Sequence, residues 1–147
     1  NAKPAQIWTI WTNVDQWHLW DTELIAASLN EQFALHATGK LTPKTGASST
    51  FRITELTPNT SYTFTTQLPL CLLNVRRYLT VTEEKTAFTH EVWFTGVLSV
   101  VFSFLLGKTF QAALPQVMEN LRHLAETQES EIAGVQQIGR SSDREST

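Results

Sequence analysis

Four polar residues sit where strand-like alternation turns them toward apolar neighbours: Arg77, His90, Tyr62 and Thr66. All four share a face with Phe51, Phe64, Leu79, Val92 and Phe94. A mainly apolar lining with a few polar groups is the composition of a small-molecule site. A buried Arg77 demands an anion, either a carboxylate of the chain or a ligand carboxylate or enolate oxygen held by the guanidinium fork. The competing reading twists the strand until Arg77 reaches water and pairs with a surface acid. His90 reads as a satisfied structural histidine or as a general acid/base on an enolisable carbon or hydroxyl. In the second case Arg77 stabilises the oxyanion of an aldol cyclisation or dehydration, and Tyr62 orients the substrate as a donor instead of filling the core or its rim.

These residues need strands to hold them, and a period of two supplies the strands from residue 33 onward. Phe33, Leu35 and Ala37 alternate with Ala34, His36 and Thr38, and Gly39 opens a loop through Pro43 to Gly46. Further strands are expected at 48–55, 61–68, 74–83 and 87–96, with Thr57-Pro58-Asn59 as a turn. Connections this short require antiparallel pairing, because a parallel crossover takes a dozen or more residues.

A sheet with one apolar face needs a partner, and residues 108–126 provide it. Phe110, Leu114, Val117, Leu121 and Leu124 fall on one helical stripe, flanked by Ala113 and Met118, with Pro115 favouring a bend. Ahead of it, Val97 to Leu106 is a greasy run containing Phe104. It reads as a lid or pocket wall, as plain core helix, or as a segment for transient membrane docking; at about ten residues it falls short of the ~20 that span a bilayer. Near the start, Pro4 opens one short helix and Asn13 or Asp15 another. Four of five Trp lie within residues 8–20, either as wedges at the junction of helices and sheet or, for one or two of them, at a ligand mouth. Residues 127–147 turn polar and read as a flexible tail or as a segment that orders only against a partner, giving a domain at 1–126 and a tail after it.

Composition narrows the partners. The chain of 147 residues is one domain in size, and its 17% charged residues lie below the ~25% of an average soluble chain, pointing to a large apolar interior or cavity. A net charge of −3 with scattered Lys and Arg excludes a nucleic-acid groove. His18, His36, His90 and His123 show no ligand spacing, so no metal is expected, and without a Gly-rich phosphate loop or a nucleophile turn no cofactor is expected either. The single Cys71 fits a reducing, cytoplasmic setting.

Asn1-Ala2-Lys3-Pro4-Ala5-Gln6-Ile7-Trp8 with Asn13-Val14-Asp15-Gln16-Trp17-His18-Leu19-Trp20-Asp21, then Thr86-Ala87-Phe88-Thr89-His90-Glu91-Val92 leading to Thr95-Gly96, and Leu114-Pro115 followed by Leu121 and Ala125-Glu126, resemble the polyketide cyclase/dehydratase and lipid-transport family of the START-like (SRPBCC) superfamily. The resemblance covers roughly residues 1–126 and marks fold more than activity. It implies an α+β helix-grip fold, with a curved antiparallel sheet wrapped around a long C-terminal helix and two short N-terminal helices. Family members usually begin with a strand just before the position of Asn1, so the first strand is expected to be missing, leaving edge groups open to strand addition or a homodimer.

The expected function is binding or carriage of a small hydrophobic molecule (a lipid, polyketide or aromatic acid), without stable membrane insertion. Phe51, Tyr62, Phe64, Thr66, Arg77, Leu79, His90, Val92, Phe94 and Phe104 are the expected ligand contacts. A cyclase or dehydratase using Arg77 and His90, with Tyr62 as a further catalytic candidate, and a self-association or protein-interaction module are the alternatives.

Overall fold

Pro4 stands at the first turn of α1 (Pro4–Thr12), where its missing N–H costs nothing, and the Gln6 side chain accepts from the Lys3 backbone N–H at 2.6 Å. Ile7, Ile10 and Trp11 form the buried side of this helix. A 3-10 helix, Val14–Leu19, follows and buries Val14 and Trp17, whose indole N–H donates to the Trp11 carbonyl at 2.8 Å. Trp11, Trp17 and Trp20 have no exposed surface. They are wedges between the helical segments and the sheet.

The computed structural model describes residues 2–83 and 85–142, the side chains of 129–142 excepted. Six strands form one curled antiparallel sheet in sequential order: β1 (Leu24–Leu29), β2 (Thr38–Pro43), β3 (Ser49–Thr57), β4 (Ser61–Leu68), β5 (Cys71–Val81) and β6 (Thr86–Thr95). The strands from β3 onward match the alternation to within three residues at each end. The expected strand at residues 33–37 does not exist. Those residues connect β1 to β2, with His36 in the left-handed region at φ 69° and its N–H donating to the Ile53 carbonyl at 2.8 Å.

Gly39, expected to open a loop, lies inside β2 opposite Phe51. A side chain there would run into the Ser28 carbonyl oxygen and the Phe51 ring. The glycine is therefore a packing requirement, letting β1 and β3 close on β2. Among the described residues β6 pairs with β5 alone, so its other edge has no strand beside it.

The helix α2 (Ser99–Ser142) begins well before residue 108, and the polar stretch after Glu126 continues it as helix to Ser142. Its stripe behaves as the spacing requires. Val117, Leu121 and Ala125 are buried, Phe110 meets Phe94 at 6.4 Å between ring centroids, and Asn120 donates to the Trp20 carbonyl at 3.4 Å. Replacing Gly39 by Ala should lower stability by about 1–3 kcal/mol through overpacking, read as a lower urea midpoint at unchanged slope.

Candidate functional site

Register places Tyr62, Arg77 and His90 in one row across β4, β5 and β6. The next core-facing row carries Phe64, Val75 and Val92, and the one after it Thr66, Leu73 and Phe94. Strict alternation along three adjacent strands is what turns a sequence pattern into a shared wall.

Arg77 is 2% exposed. Its Nη1 donates to the Tyr62 hydroxyl at 2.6 Å, and the Tyr62 hydroxyl donates in turn to the Trp11 carbonyl at 3.4 Å. Its Nη2 stands 3.8 Å from an Asp21 carboxylate oxygen, a loose ion pair. The guanidinium also lies over aromatic faces, 4.5 Å from the Trp17 ring centroid, 4.7 Å from Trp20 and 5.3 Å from Phe64. Cation–π attraction of this kind is strongest where water is excluded. Arg77 is thus held inside, and the solvent-reaching reading fails.

Burial shifts the neighbouring groups. The Asp21 carboxyl is raised above its ordinary range because desolvation outweighs the pull of Arg77, and the Tyr62 phenol is raised by burial. His90 is lowered well below the usual imidazole value, first by desolvation and then by the positive charge of Arg77. Its imidazole is neutral at physiological pH.

A cavity of about 360 Å³ lies between the sheet and α2. Phe64, Leu73, Val75 and Val92 wall it from the sheet, Leu106, Phe110, Leu114 and Val117 from the helix, and Asp21, Glu23, Thr66, Arg77 and His90 are among its polar lining. Among the described residues nothing hydrogen-bonds Thr66 Oγ1, Arg77 Nε or His90 Nε2, although all three atoms are enclosed. Unsatisfied buried polar atoms are costly and rare, and beside Trp11 Nε1 and Trp20 Nε1 these three belong to residues of one cavity's lining.

Of the expected contacts, Phe64, Thr66, Arg77, His90 and Val92 line this cavity and five others do not. Phe51, Tyr62 and Leu79 are packed into the core, with Tyr62 acting on Arg77 from behind, and Phe94 packs on Phe110. Phe104 is a correction. It is 73% exposed on the outer face of α2, because a greasy run does not reveal which side of the helix meets the sheet. No Trp is among the lining residues, so the ligand-mouth reading of the Trp cluster falls away. Asp21 was missed: it was quoted only as the residue after Trp20, and no local periodicity marks a carboxylate that meets its partner 56 positions later. Among the described residues no cluster of His, Cys, Asp or Glu could hold a metal ion.

Helices at the start, a curled sheet and a long helix over its concave face define a helix-grip protein with an internal cavity. The family model described as polyketide cyclase/dehydrase and lipid transport matches residues 1–126, and the chain belongs to that family. None of the curated proteins compared matches it in sequence. Among solved structures it is similar to the di-domain ARO/CYC StfQ of the steffimycin biosynthetic pathway (13% identity, TM-score 0.69), with 88% of this chain covered. The match spans about half, 48%, of that longer chain. It is also similar to MLL2253 from Mesorhizobium loti (18% identity, TM-score 0.66, covering 86% of this chain and 90% of that one). A third is TTHA0849 from Thermus thermophilus (9% identity, TM-score 0.65, covering 86% and 91%).

The neutral His90 has a consequence for stability. Its native pKa lies below the ordinary 6.5, so the unfolded chain takes up a proton first as pH falls. Stability present above pH 6.5 is then lost as pH drops toward the depressed native value. Relative to His90→Gln, the parent protein should lose up to about 1.4 kcal/mol per pH unit in that window, measured by urea unfolding at stepped pH.

Proposed function

We propose that this chain binds and carries a small hydrophobic molecule with one acidic or enolic end, held in the cavity between the sheet and α2. The observation that carries the reading is the wall itself: apolar side chains from sheet and helix, with Arg77, His90 and Thr66 among its few polar residues, each holding a buried polar atom without a hydrogen-bond partner. A volume of about 360 Å³ suits a compact ligand such as an aromatic acid, a short polyketide or part of a lipid chain.

Native mass spectrometry under gentle and then denaturing conditions tests for a co-purifying apolar molecule. Calorimetric titration tests the chemistry. 2-Naphthoic acid should bind about tenfold more tightly than its methyl ester, a preference that Arg77→Gln erases. Val92→Trp, which fills the cavity, should abolish binding of both. Equal affinity for acid and ester in the parent protein would remove the anionic end from the proposal.

The second reading is a cyclase or dehydratase, favoured by the likeness to StfQ, an ARO/CYC, and by a neutral His90 with a free Nε2 in register with Arg77. Such a histidine is poised to accept a proton from an activated carbon while Arg77 steadies the enolate oxygen. Turnover of a linear poly-β-keto thioester should then be constant at neutral pH and fall in acid as His90 protonates. His90→Gln should lower kcat by at least about a hundredfold with little change in KM. A binding protein shows no turnover to lose.

A further inference from the structure

One end of the domain carries an apolar surface that the cavity does not use. Leu70, Val97, Val100, Val101, Phe104 and Leu105 are all exposed, Val100 by 80%. They form a single patch. The Leu98 N–H donates to the Leu70 carbonyl at 3.2 Å, fixing the β4–β5 turn beside the start of α2, and positions 97, 100, 101, 104 and 105 recur at helical spacing. The opposite face of the same turns carries Leu106 and Phe110, which wall the cavity. This part of α2 is therefore apolar on both sides, unlike the helix of an ordinary sheet-covered core.

Charge says what kind of surface would cover it. Between Glu91 and Glu119 the sequence has no acidic residue and one cation, Lys108, whose Nζ lies 5.6 Å from the Phe104 ring centroid. Antiparallel order puts the β2–β3 turn, the β4–β5 turn and the β6–α2 junction at the same end of the sheet. The β2–β3 turn adds the exposed Lys44, next to the cavity residues Thr45 and Gly46. Glu23 lines a shallow recess together with Lys108, and the Lys44 backbone N–H donates to the Glu23 carbonyl at 2.9 Å.

We propose that this end of the domain docks on a phospholipid surface, with the outer face of α2 entering the acyl boundary and Lys44 and Lys108 meeting lipid phosphates. Apolar side chains with Lys44 and Lys108 at their rim, on a stretch of α2 that carries no acid before Glu119, match the layering of a bilayer face, apolar within and phosphate-bearing above. The segment Ser99–Gln128 is long and apolar enough to cross a bilayer by length and composition. Its second half, however, is committed to the core through Val117, Leu121 and Ala125, so only the first turns are free to enter lipid. The inference rests on the ligand-binding reading in one respect: a cavity that exchanges apolar cargo gains from docking where such cargo dissolves.

Flotation of the full chain with vesicles tests it. The protein should float with phosphatidylcholine vesicles and more strongly when phosphatidylserine is added, the increment disappearing at high salt. Val100→Ser with Phe104→Ser should cut vesicle partition by about tenfold or more. Lys44→Glu with Lys108→Glu should remove only the phosphatidylserine increment. Both double variants should still bind 2-naphthoic acid, since none of the four residues walls the cavity.

Flotation that fails in the parent protein while 2-naphthoic acid still binds overturns the docking and leaves the carrier reading standing. Flotation that persists without 2-naphthoic acid binding supports docking and removes the cavity reading. A concentration-dependent dimer in sedimentation, dissolved by Val100→Ser with Phe104→Ser and accompanied by no flotation, assigns the patch to a second copy and overturns the proposal.

Discussion

A cation kept out of water is the constraint from which much of this domain follows. Desolvating a guanidinium costs several kcal/mol, and the cost is offset only when hydrogen bonds, counter-charge and polarisable neighbours surround it. Around Arg77 the offset is assembled from distant parts of the chain: Tyr62 from β4, Asp21 from the segment before β1, and the Trp17 and Trp20 rings from the 3-10 helix and its end. The N-terminal helices are therefore more than a cap on the sheet. They complete the environment that lets a charge stand beside an apolar cavity, and the loose 3.8 Å pair with Asp21 leaves part of that charge uncompensated.

The same constraint sets the protonation of its neighbours. A positive charge and burial act in the same direction on His90, favouring the neutral ring, and in opposite directions on Asp21, where burial prevails. Tyr62 is spent in holding Arg77 and passing a hydrogen bond to Trp11, so its role is to position the guanidinium. The cavity is left with a fixed cation, a neutral imidazole and a hydroxyl beside the Asp21 and Glu23 carboxyls, a set that can orient an oxygen-bearing ligand or polarise a carbonyl.

Legibility in the sequence followed the strength of local periodicity. The strands β3 to β6 alternate because one face is turned to the core, against the Trp17 cluster for β3 and β4 and toward α2 for β5 and β6, and the Tyr62, Arg77 and His90 row could be read from that alternation alone. The strands β1 and β2 could not. Leu24–Leu29 is an edge strand with Ala27 its one buried residue, and Thr38–Pro43 carries Gly39, Lys40 and Pro43, residues that individually argue for a loop. Phe33 and Leu35 mimicked a strand because they alternate by chance across a connection, where Phe33 packs on Tyr62. The helix was legible through its C-terminal stripe, but its first turns are apolar all round, and no pattern within them says which side meets the sheet. Asp21 depended on tertiary proximity that sequence spacing does not encode.

The cluster of indoles beside Arg77 gives this fold a built-in optical property. Trp17 and Trp20 lie with their ring centroids within 5 Å of a guanidinium that also forms part of the cavity wall, and they are shielded from bulk water. Indole emission energy responds to the local electric field, so an anion entering the cavity and neutralising that field alters the emission of residues it never touches. The chain thus carries its own spectroscopic gauge of cavity charge, arising from the packing that keeps the cation buried.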